Sequence, residues 1–276
     1  MSKQTKIITV SGLKVGGRQP LLAIAGPCVI ESQRGCMDLA ARLVDLAVKV
    51  DIPLIFKASY DKANRTSIDS YRGPGVDEGL DILAAIKQKF NVPVITDVHT
   101  PEEAEKAGKM IDVLQVPAFL CRQTDLVVAC GETGRAVSVK KGQFLAPWDI
   151  DPIIGKIEST GNKKILMTER GSSFGYNNLV ADMRSIPIMQ ERGYPVIFDA
   201  THSVQRPGGG GGFTSGDGAL APYLARAAVA AGSNGIFMET HVNPQRALSD
   251  KDNAIPLRQL EKLWRQLKAV RDAVCN

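Results

Sequence analysis

Short, almost wholly apolar runs alternate with longer helix-like segments along the whole chain. The first pair is LLAIAG followed by MDLAARLVDLAVKV, and the last is NGIFMETH followed by PLRQLEKLWRQLKAVRDAV. Apolar runs without polar alternation are typical of strands that are buried on both faces. Strands that alternate with helices in this way predict a parallel sheet of the α/β class.

The pattern repeats eight times, with predicted strands at 21–26, 53–59, 92–98, 112–118, 136–141, 164–170, 195–201 and 234–241. Eight units in a chain of 276 residues predict one (β/α)8 TIM barrel that spans residues 1–276. A doubly wound open sheet is the alternative. The leading stretch ITVSGLKVGG predicts a short hairpin within residues 1–18 that caps the bottom of the barrel.

Two segments after the strands carry further predictions. The stretch from Leu179 to Glu191 is predicted to supply the helix after the sixth strand. PGGGGGFTSGDG, at 207–218, is predicted to have no regular structure because of its glycines, and it is a candidate mobile loop. Closure of this loop, including Gly208 to Gly212, would exclude bulk water from a site beside it.

Composition and charge narrow the classes of function. The formal net charge is +5, from 34 basic and 29 acidic residues, and the basic residues form no tract that would indicate a nucleic-acid partner. No apolar run approaches the roughly 20 residues of a membrane span. The number of cysteines, five, is odd, and no two of them form a CxxC motif. The N-terminal residues also contain no apolar core of the kind found in signal peptides. We therefore expect reduced thiols and a cytoplasmic protein.

A barrel places its active site at the carboxyl ends of the strands. Polar or ionisable residues end every predicted strand, and Asp199 and His202 follow the seventh. One group among them is cationic and would repel itself unless anions such as phosphate or carboxylate fill it. This group consists of Lys57, Lys62, Arg65, Lys140 and Arg170.

A second group has the chemistry of a metal site. Cys28, His202, Glu239 and Asp250 offer a thiolate, an imidazole and two carboxylates, which suit an ion such as Zn, Fe or Mn. Barrel closure brings the first and eighth strands together, so the fold permits this grouping. Taken singly, Cys28 is better explained as inert apolar filler, and His202 as a phosphate or loop contact. For His99 and His241, loop-fixing hydrogen bonds and direct chemistry both stay open, whereas Cys36, Cys121 and Cys130 are expected to pack in the core.

Several motifs occur in an order that carries a family resemblance. They are KASYDKANRTS (57–67), TDVH (96–99), QVPAFLCRQTDL (115–126), TERGSSFGYNNL (168–179), DATHSVQ (199–205) and METH (238–241). The chain resembles the 3-deoxy-D-manno-octulosonate 8-phosphate synthases through nearly its whole length. The resemblance implies a cytoplasmic, usually tetrameric (β/α)8 enzyme that condenses phosphoenolpyruvate with arabinose 5-phosphate and releases phosphate, and whose product is used for lipopolysaccharide.

The resemblance also implies roles for individual residues. The metal-independent branch of the family has asparagine where this chain has Cys28, so a divalent metal held by Cys28, His202, Glu239 and Asp250 is expected, with Lys57 as a further catalytic residue. The loop at 207–218 is richer in glycine than is usual in the metal-dependent branch. The implied substrate contacts are Lys57, Ser59, Lys62, Asn64, Arg65, Thr66, Asp97, Gln115, Pro117, Ala118, Phe119, Lys140, Arg170, His202 and Gln205.

Two alternatives stay open at this point. The related 3-deoxy-D-arabino-heptulosonate 7-phosphate synthases use erythrose 4-phosphate and typically have a shorter version of the KANRTS segment, so Asn64 favours the longer sugar. A non-catalytic barrel that binds a phosphosugar would keep the cationic group without needing the Cys, His, Glu and Asp set.

Overall fold

The computed structural model describes residues 4–65, 67–209 and 214–275. Eight parallel strands form a closed barrel, because the strand at Val196–Asp199 pairs with the strand at Gly235–His241 and so joins the two ends of the row of eight. The predicted (β/α)8 architecture is therefore confirmed, and the open doubly wound sheet is excluded. Among these residues, none of the helices has the length and apolar character that crossing a membrane requires.

Eight of the strands described form the barrel wall, and the rest are short additions. In chain order the strands are β1 (Ile8–Val10), β2 (Leu13–Val15), β3 (Leu22–Gly26), β4 (Leu54–Lys57), β5 (Val94–Asp97), β6 (Val113–Val116), β7 (Ala136–Lys140), β8 (Ile165–Glu169), β9 (Ser172–Ser173), β10 (Leu179–Val180), β11 (Val196–Asp199), β12 (Gln205–Arg206), β13 (Ser215–Gly216), β14 (Gly235–His241) and β15 (Ile255–Pro256). The barrel order is β3-β4-β5-β6-β7-β8-β11-β14.

A helix follows each barrel strand. The helices are α1 (Gln33–Val50), α2 (Val76–Phe90), α3 (Pro101–Gly108), α4 (Thr124–Glu132), α5 (Asp151–Glu158), α6 (Ser185–Gln190), α7 (Ala221–Ala230) and α8 (Leu257–Cys275). Their buried apolar faces pack on the outside of the barrel, as in α1, where Leu39, Leu43 and Ala47 are buried. Wall strands such as β3 and β4 are buried along their whole length because the helices cover one face and the barrel interior the other.

The two N-terminal strands form an antiparallel hairpin, with Val10 opposite Leu13 at the turn. Ile8, Val10 and Val15 belong to the same buried cluster as the inward-facing side chains of the barrel strands, including Leu22 and Phe237. The hairpin therefore packs on the end of the barrel from which the strands start.

Two local predictions were wrong in part. The helix after the sixth barrel strand does not start at Leu179, because Leu179 and Val180 pair with Ser173 and Ser172 as a small hairpin. The helix begins at Ser185 instead. The glycine-rich stretch at 207–218 also contains regular structure, since Ser215 and Gly216 pair with β12. Residues 210–213 of this stretch lie outside the described residues.

Candidate active site

A cleft of about 550 Å³ opens among the loops that follow the carboxyl ends of the barrel strands. Most of the side chains that the sequence predicted for the site line this cleft, which places residues from the ends of seven barrel strands and the segments after them around one volume. They are Lys62, Asn64, Arg65, Asp97, Pro117, Ala118, Phe119, Lys140, Arg170, His202, Gln205 and Asp250.

Five other predicted residues are buried behind this lining rather than part of it, each at most 6% exposed. Each contacts a neighbour in the site, and the five are Cys28, Lys57, Ser59, Gln115 and Glu239. These five side chains thus hold neighbouring site residues in position through hydrogen bonds. Predicted Thr66, and Gly210 to Gly212 of the expected closing loop, lie outside the described residues.

Lys57 and Glu239 form the floor of the site. The Lys57 ammonium donates to Glu239 Oε1 at 2.8 Å and to the backbone oxygen of Cys28 at 2.9 Å. The backbones of β3 and β4 meet closely here, because a Cβ at Gly26 would lie 1.8 Å from the Lys57 carbonyl oxygen. A glycine at position 26 is therefore required for the strand spacing that places Lys57.

Asp97, at the end of β5, connects three neighbouring residues. Ser59 Oγ and Gln115 Nε2 each donate to its carboxylate, and Lys62 Nζ lies 3.5 Å from Oδ2. Burial alone would raise the pKa of Asp97, but the charges of Lys62, Lys57 and Lys140 hold it well below its usual value. The carboxylate therefore stays ionised and partly neutralises the cations around it.

The end of β11 fixes a second group of charges. Asp199 Oδ2 accepts a hydrogen bond from Lys140 Nζ at 2.5 Å and lies 2.7 Å from His202 Nδ1. Burial would raise the pKa of Asp199, and the charges of His202 and Lys140 instead lower it. This carboxylate orients the imidazole through Nδ1, so that Nε2 is directed towards Glu239, whose Oε1 is 3.5 Å away.

Three of the four predicted metal ligands come together at the closure of the barrel, whereas the fourth, His202, is not part of this group, although its Nε2 lies 3.5 Å from Glu239 Oε1. One donor atom each from Cys28, Glu239 and Asp250 lies within 4.8 Å of the other two. Glu239 Oε2 is buried and has no hydrogen-bond partner among the residues described, which leaves an oxygen for a ligand. Thiolate, carboxylate and imidazole donors fit a divalent ion of the Zn, Fe or Mn class. The residues present therefore fit a metal.

The surroundings of Cys28 favour the protonated form of its thiol. Burial, and then the charges of Asp250 and Glu239, raise the pKa of Cys28 well above its ordinary value. Consistent with this, Cys28 Sγ lies 2.9 Å from Ser249 Oγ, which accepts its one proton when Ser249 itself donates to Asp250, and 3.0 Å from Asp250 Oδ2. A metal would have to displace this proton on binding.

The remaining histidines are held by glutamates. His99 Nδ1 lies 2.9 Å from Glu103 Oε2, and His99 also lines the cleft. His241 Nδ1 accepts from the Asn243 backbone N–H, and its Nε2 is 3.6 Å from Glu31. Cys36, Cys121 and Cys130 are buried in the main apolar cluster, as expected.

The sequence predictions omit several residues that line the cleft, among them Gln143 and Ser249. Gln143, two residues beyond the buried Lys141, lines the cleft, and its Oε1 has no hydrogen-bond partner among the residues described. Ser249 precedes Asp250 and touches Cys28, Arg65 and Asp250 through its hydroxyl. Adjacency to a predicted strand end or metal ligand is the signal that could have identified each of them.

Comparison with known proteins identifies the family of the chain. The model of the DAHP synthetase I family matches residues 4–275. The chain belongs to the DAHP synthetase I family. It is 57% identical over 272 residues to the 2-dehydro-3-deoxyphosphooctonate aldolase of Citrifermentans bemidjiense, which covers 99% of each chain. It is 56% identical to proteins of the same name from Geobacter sulfurreducens, over 98% of this chain and 99% of the relative, and Granulibacter bethesdensis, over 96% and 94%.

Proposed function

We propose that this member of the DAHP synthetase I family condenses phosphoenolpyruvate with D-arabinose 5-phosphate and water, giving 3-deoxy-D-manno-octulosonate 8-phosphate and phosphate. The full-length similarity to proteins named 2-dehydro-3-deoxyphosphooctonate aldolase supports this reaction. Use of the product for lipopolysaccharide, a cytoplasmic location and a homotetramer are proposed with it, on the sequence resemblance.

The observation that carries the proposal is the way in which the cations of the cleft are paired. Lys57, Lys62 and Lys140 each lie within 4 Å of a carboxylate. The two arginines are held by neutral oxygens instead: Arg170 by His202 O and Gln205 Oε1, and Arg65 by Tyr71 O and Ser249 Oγ. Their charge is therefore left for anions, and guanidinium groups suit phosphate. Each of the two substrates brings one phosphate.

We assign one substrate to the residues around Arg170 and the other to the residues around Arg65. Lys62, Lys140 and Arg170 hold the phosphate and carboxylate of phosphoenolpyruvate, with Lys57 and Gln115 near its reacting end. Asn64, Arg65 and Thr66 hold the phosphate of arabinose 5-phosphate. Phosphoenolpyruvate C3 forms a bond to the aldehyde carbon of the sugar, water adds to C2, and the C2–O bond to phosphate then breaks.

The charged side chains of the site can stabilise developing negative charge and transfer protons in these steps. The Lys57 ammonium beside Glu239, and the Lys140 ammonium beside Asp199, are fixed cations at places where negative charge develops. His202 and Asp250 are within reach to move a proton to or from the adding water. Bound by Cys28, His202, Glu239 and Asp250, a divalent ion would supply Lewis-acid polarisation and a lowered pKa of bound water.

A rate assay tests the proposed substrates. Phosphate release from phosphoenolpyruvate should depend on arabinose 5-phosphate, fall after chelation, and recover when a divalent ion is added. Erythrose 4-phosphate at the same concentration is the control, and we expect it to support little or no release. Equal or faster release with erythrose 4-phosphate would instead assign the heptulosonate reaction. Binding of the sugar phosphate without any release would indicate the non-catalytic barrel.

A further inference from the structure

The Ser249 hydroxyl connects the two halves of the site. Arg65 Nη1 donates to Ser249 Oγ at 2.7 Å, and Cys28 Sγ donates to the same oxygen at 2.9 Å. Ser249 in turn donates to Asp250 Oδ2, which is 3.0 Å away. One side chain thus contacts a cation of the proposed sugar-phosphate site and two ligands of the proposed metal site.

These contacts use the full hydrogen-bonding capacity of the hydroxyl. A serine hydroxyl has one proton to donate and two lone pairs to accept with. At Ser249 the guanidinium and the thiol occupy the lone pairs, and the carboxylate takes the proton. Ser249 is only 4% exposed, so water has little access to replace a partner that leaves. Loss of one contact therefore changes the other two.

Each ligand-binding event changes one of these contacts. A phosphate that takes the Arg65 guanidinium removes its charge-assisted hydrogen bond to Ser249 and neutralises a positive charge near the metal ligands. A metal that binds Cys28 needs the thiolate, so the thiol no longer donates to Ser249. The Arg65 charge repels a metal cation at these ligands, so its neutralisation by a phosphate favours metal binding.

We propose that Ser249 couples occupation of Arg65 by the phosphate of the sugar substrate to metal binding at Cys28 and Asp250, so that each ligand tightens the other. This inference rests on the proposed function, because it takes arabinose 5-phosphate as the anion. Such coupling is reciprocal, and measured couplings between sites are typically about 5- to 150-fold. We therefore expect the phosphosugar to tighten metal binding by at least about fivefold.

Calorimetric titration of the metal-free full-length chain with Co²⁺ measures this coupling without turnover, since phosphoenolpyruvate is left out. The dissociation constant is compared with and without arabinose 5-phosphate, with D-arabinose as the control that lacks the phosphate. The thiolate-to-cobalt absorption band reports in parallel whether Cys28 is a ligand. The wild-type chain should show the fivefold or larger ratio with arabinose 5-phosphate and a ratio near one with D-arabinose.

Three variants separate coupling from a structural effect. Ser249→Ala removes the hydroxyl and should bring the ratio close to one. Ser249→Thr keeps the hydroxyl and should restore it. Ser185→Ala is the matched control, because Ser185 is also buried and its hydroxyl has no hydrogen-bond partner among the residues described; it should keep the wild-type ratio. Thermal unfolding of each variant confirms that it is folded.

Two outcomes would overturn the coupling alone. One is a wild-type ratio near one although arabinose 5-phosphate binds to the metal-free chain; the other is an undiminished ratio in Ser249→Ala. A wild-type chain that binds no arabinose 5-phosphate, with or without Co²⁺, would overturn the proposed function together with the coupling, so the two failures are distinguishable.

Discussion

Lys57 and Glu239 form an ion pair of 2.8 Å in which each side chain is only 1% exposed. Burial would raise the pKa of Glu239, and the charges of Lys57, His202 and Lys62 instead lower it. The carboxylate thus stays ionised because cations surround it. The pair connects the proposed anion-binding group, to which Lys57 belongs, with the proposed metal site, to which Glu239 belongs.

Removal of the Lys57 charge should destabilise the protein strongly. In Lys57→Met the nearest basic side chains left to Glu239 are His202, with Nε2 at 3.5 Å, and Lys62, with Nζ at 3.8 Å, both more distant than Lys57. Breaking a buried ion pair typically costs about 3–5 kcal/mol. We therefore expect urea denaturation to show a free energy of unfolding lower by about 3 kcal/mol. Lys49→Met, which breaks the exposed pair with Glu261, is the control and should cause no measurable loss. Similar losses for both variants would contradict a special role for burial.

Gly26 and Gly155 form a second matched comparison. A Cβ at Gly26 would meet the Lys57 backbone at 1.8 Å, whereas a Cβ at Gly155, inside α5, has no neighbour within 4 Å. Gly26→Ala should therefore cost about 2 kcal/mol or more and displace Lys57. Gly155→Ala should stabilise the helix by about 0.5–1 kcal/mol. Denaturation curves check both values, and a Gly26→Ala protein as stable as wild type would show that the strands are not spaced as described.

Cys28 is the residue on which the metal hypothesis depends most. Cys28→Ala should weaken Co²⁺ binding by more than about 100-fold, which is the upper range for loss of an outer-shell partner alone. The thiolate-to-cobalt absorption band should disappear. Cys36→Ala is the control, since Cys36 is buried in the apolar core on α1. Unchanged affinity in Cys28→Ala, or an equal loss in Cys36→Ala, would argue against Cys28 as a ligand.

The His99–Glu103 pair predicts a pH dependence. Burial alone would lower the pKa of His99, but the hydrogen bond to Glu103 and the charge of Asp97 raise it. Because the folded value lies above the unfolded value of about 6.5, the pair stabilises the protein fully below that pH and less as pH rises through the folded value.

Glu103→Gln tests this sign. NMR titration of the imidazole should give a lower pKa for His99 in the variant than in the wild type. The difference in unfolding free energy between the two proteins should be larger at about pH 6 than at about pH 9. A variant whose His99 titrates at the wild-type value would show that Glu103 is not the cause of the shift.

The barrel could be predicted because its signal is local. Each wall strand is an apolar run, since helices cover one face and the barrel interior the other, and closure then follows from the number of units. The strand-end rule also located several of the lining residues, among them Lys140 and Arg170. The pairing of Leu179 with Ser173 could not be read from helical spacing, because it depends on a turn between them.

The arrangement inside the site depends on contacts between distant parts of the chain. Ser249 contacts Arg65, which is 184 positions away in the sequence, and Cys28, which is 221 positions away. No periodic sequence pattern predicts contacts over such separations. The division of the cations into carboxylate-paired lysines and arginines held by neutral oxygens is likewise visible only in three dimensions. The sequence could supply the residue types, and the fold supplies their pairing.

Phosphorus NMR of the metal-loaded protein mixed with phosphoenolpyruvate and arabinose 5-phosphate tests the proposed condensation most directly. The signals of both substrates should decline together, with equal amounts of inorganic phosphate and one new sugar phosphate replacing them. Unchanged substrates, or consumption of phosphoenolpyruvate without a new sugar phosphate, would contradict the condensation.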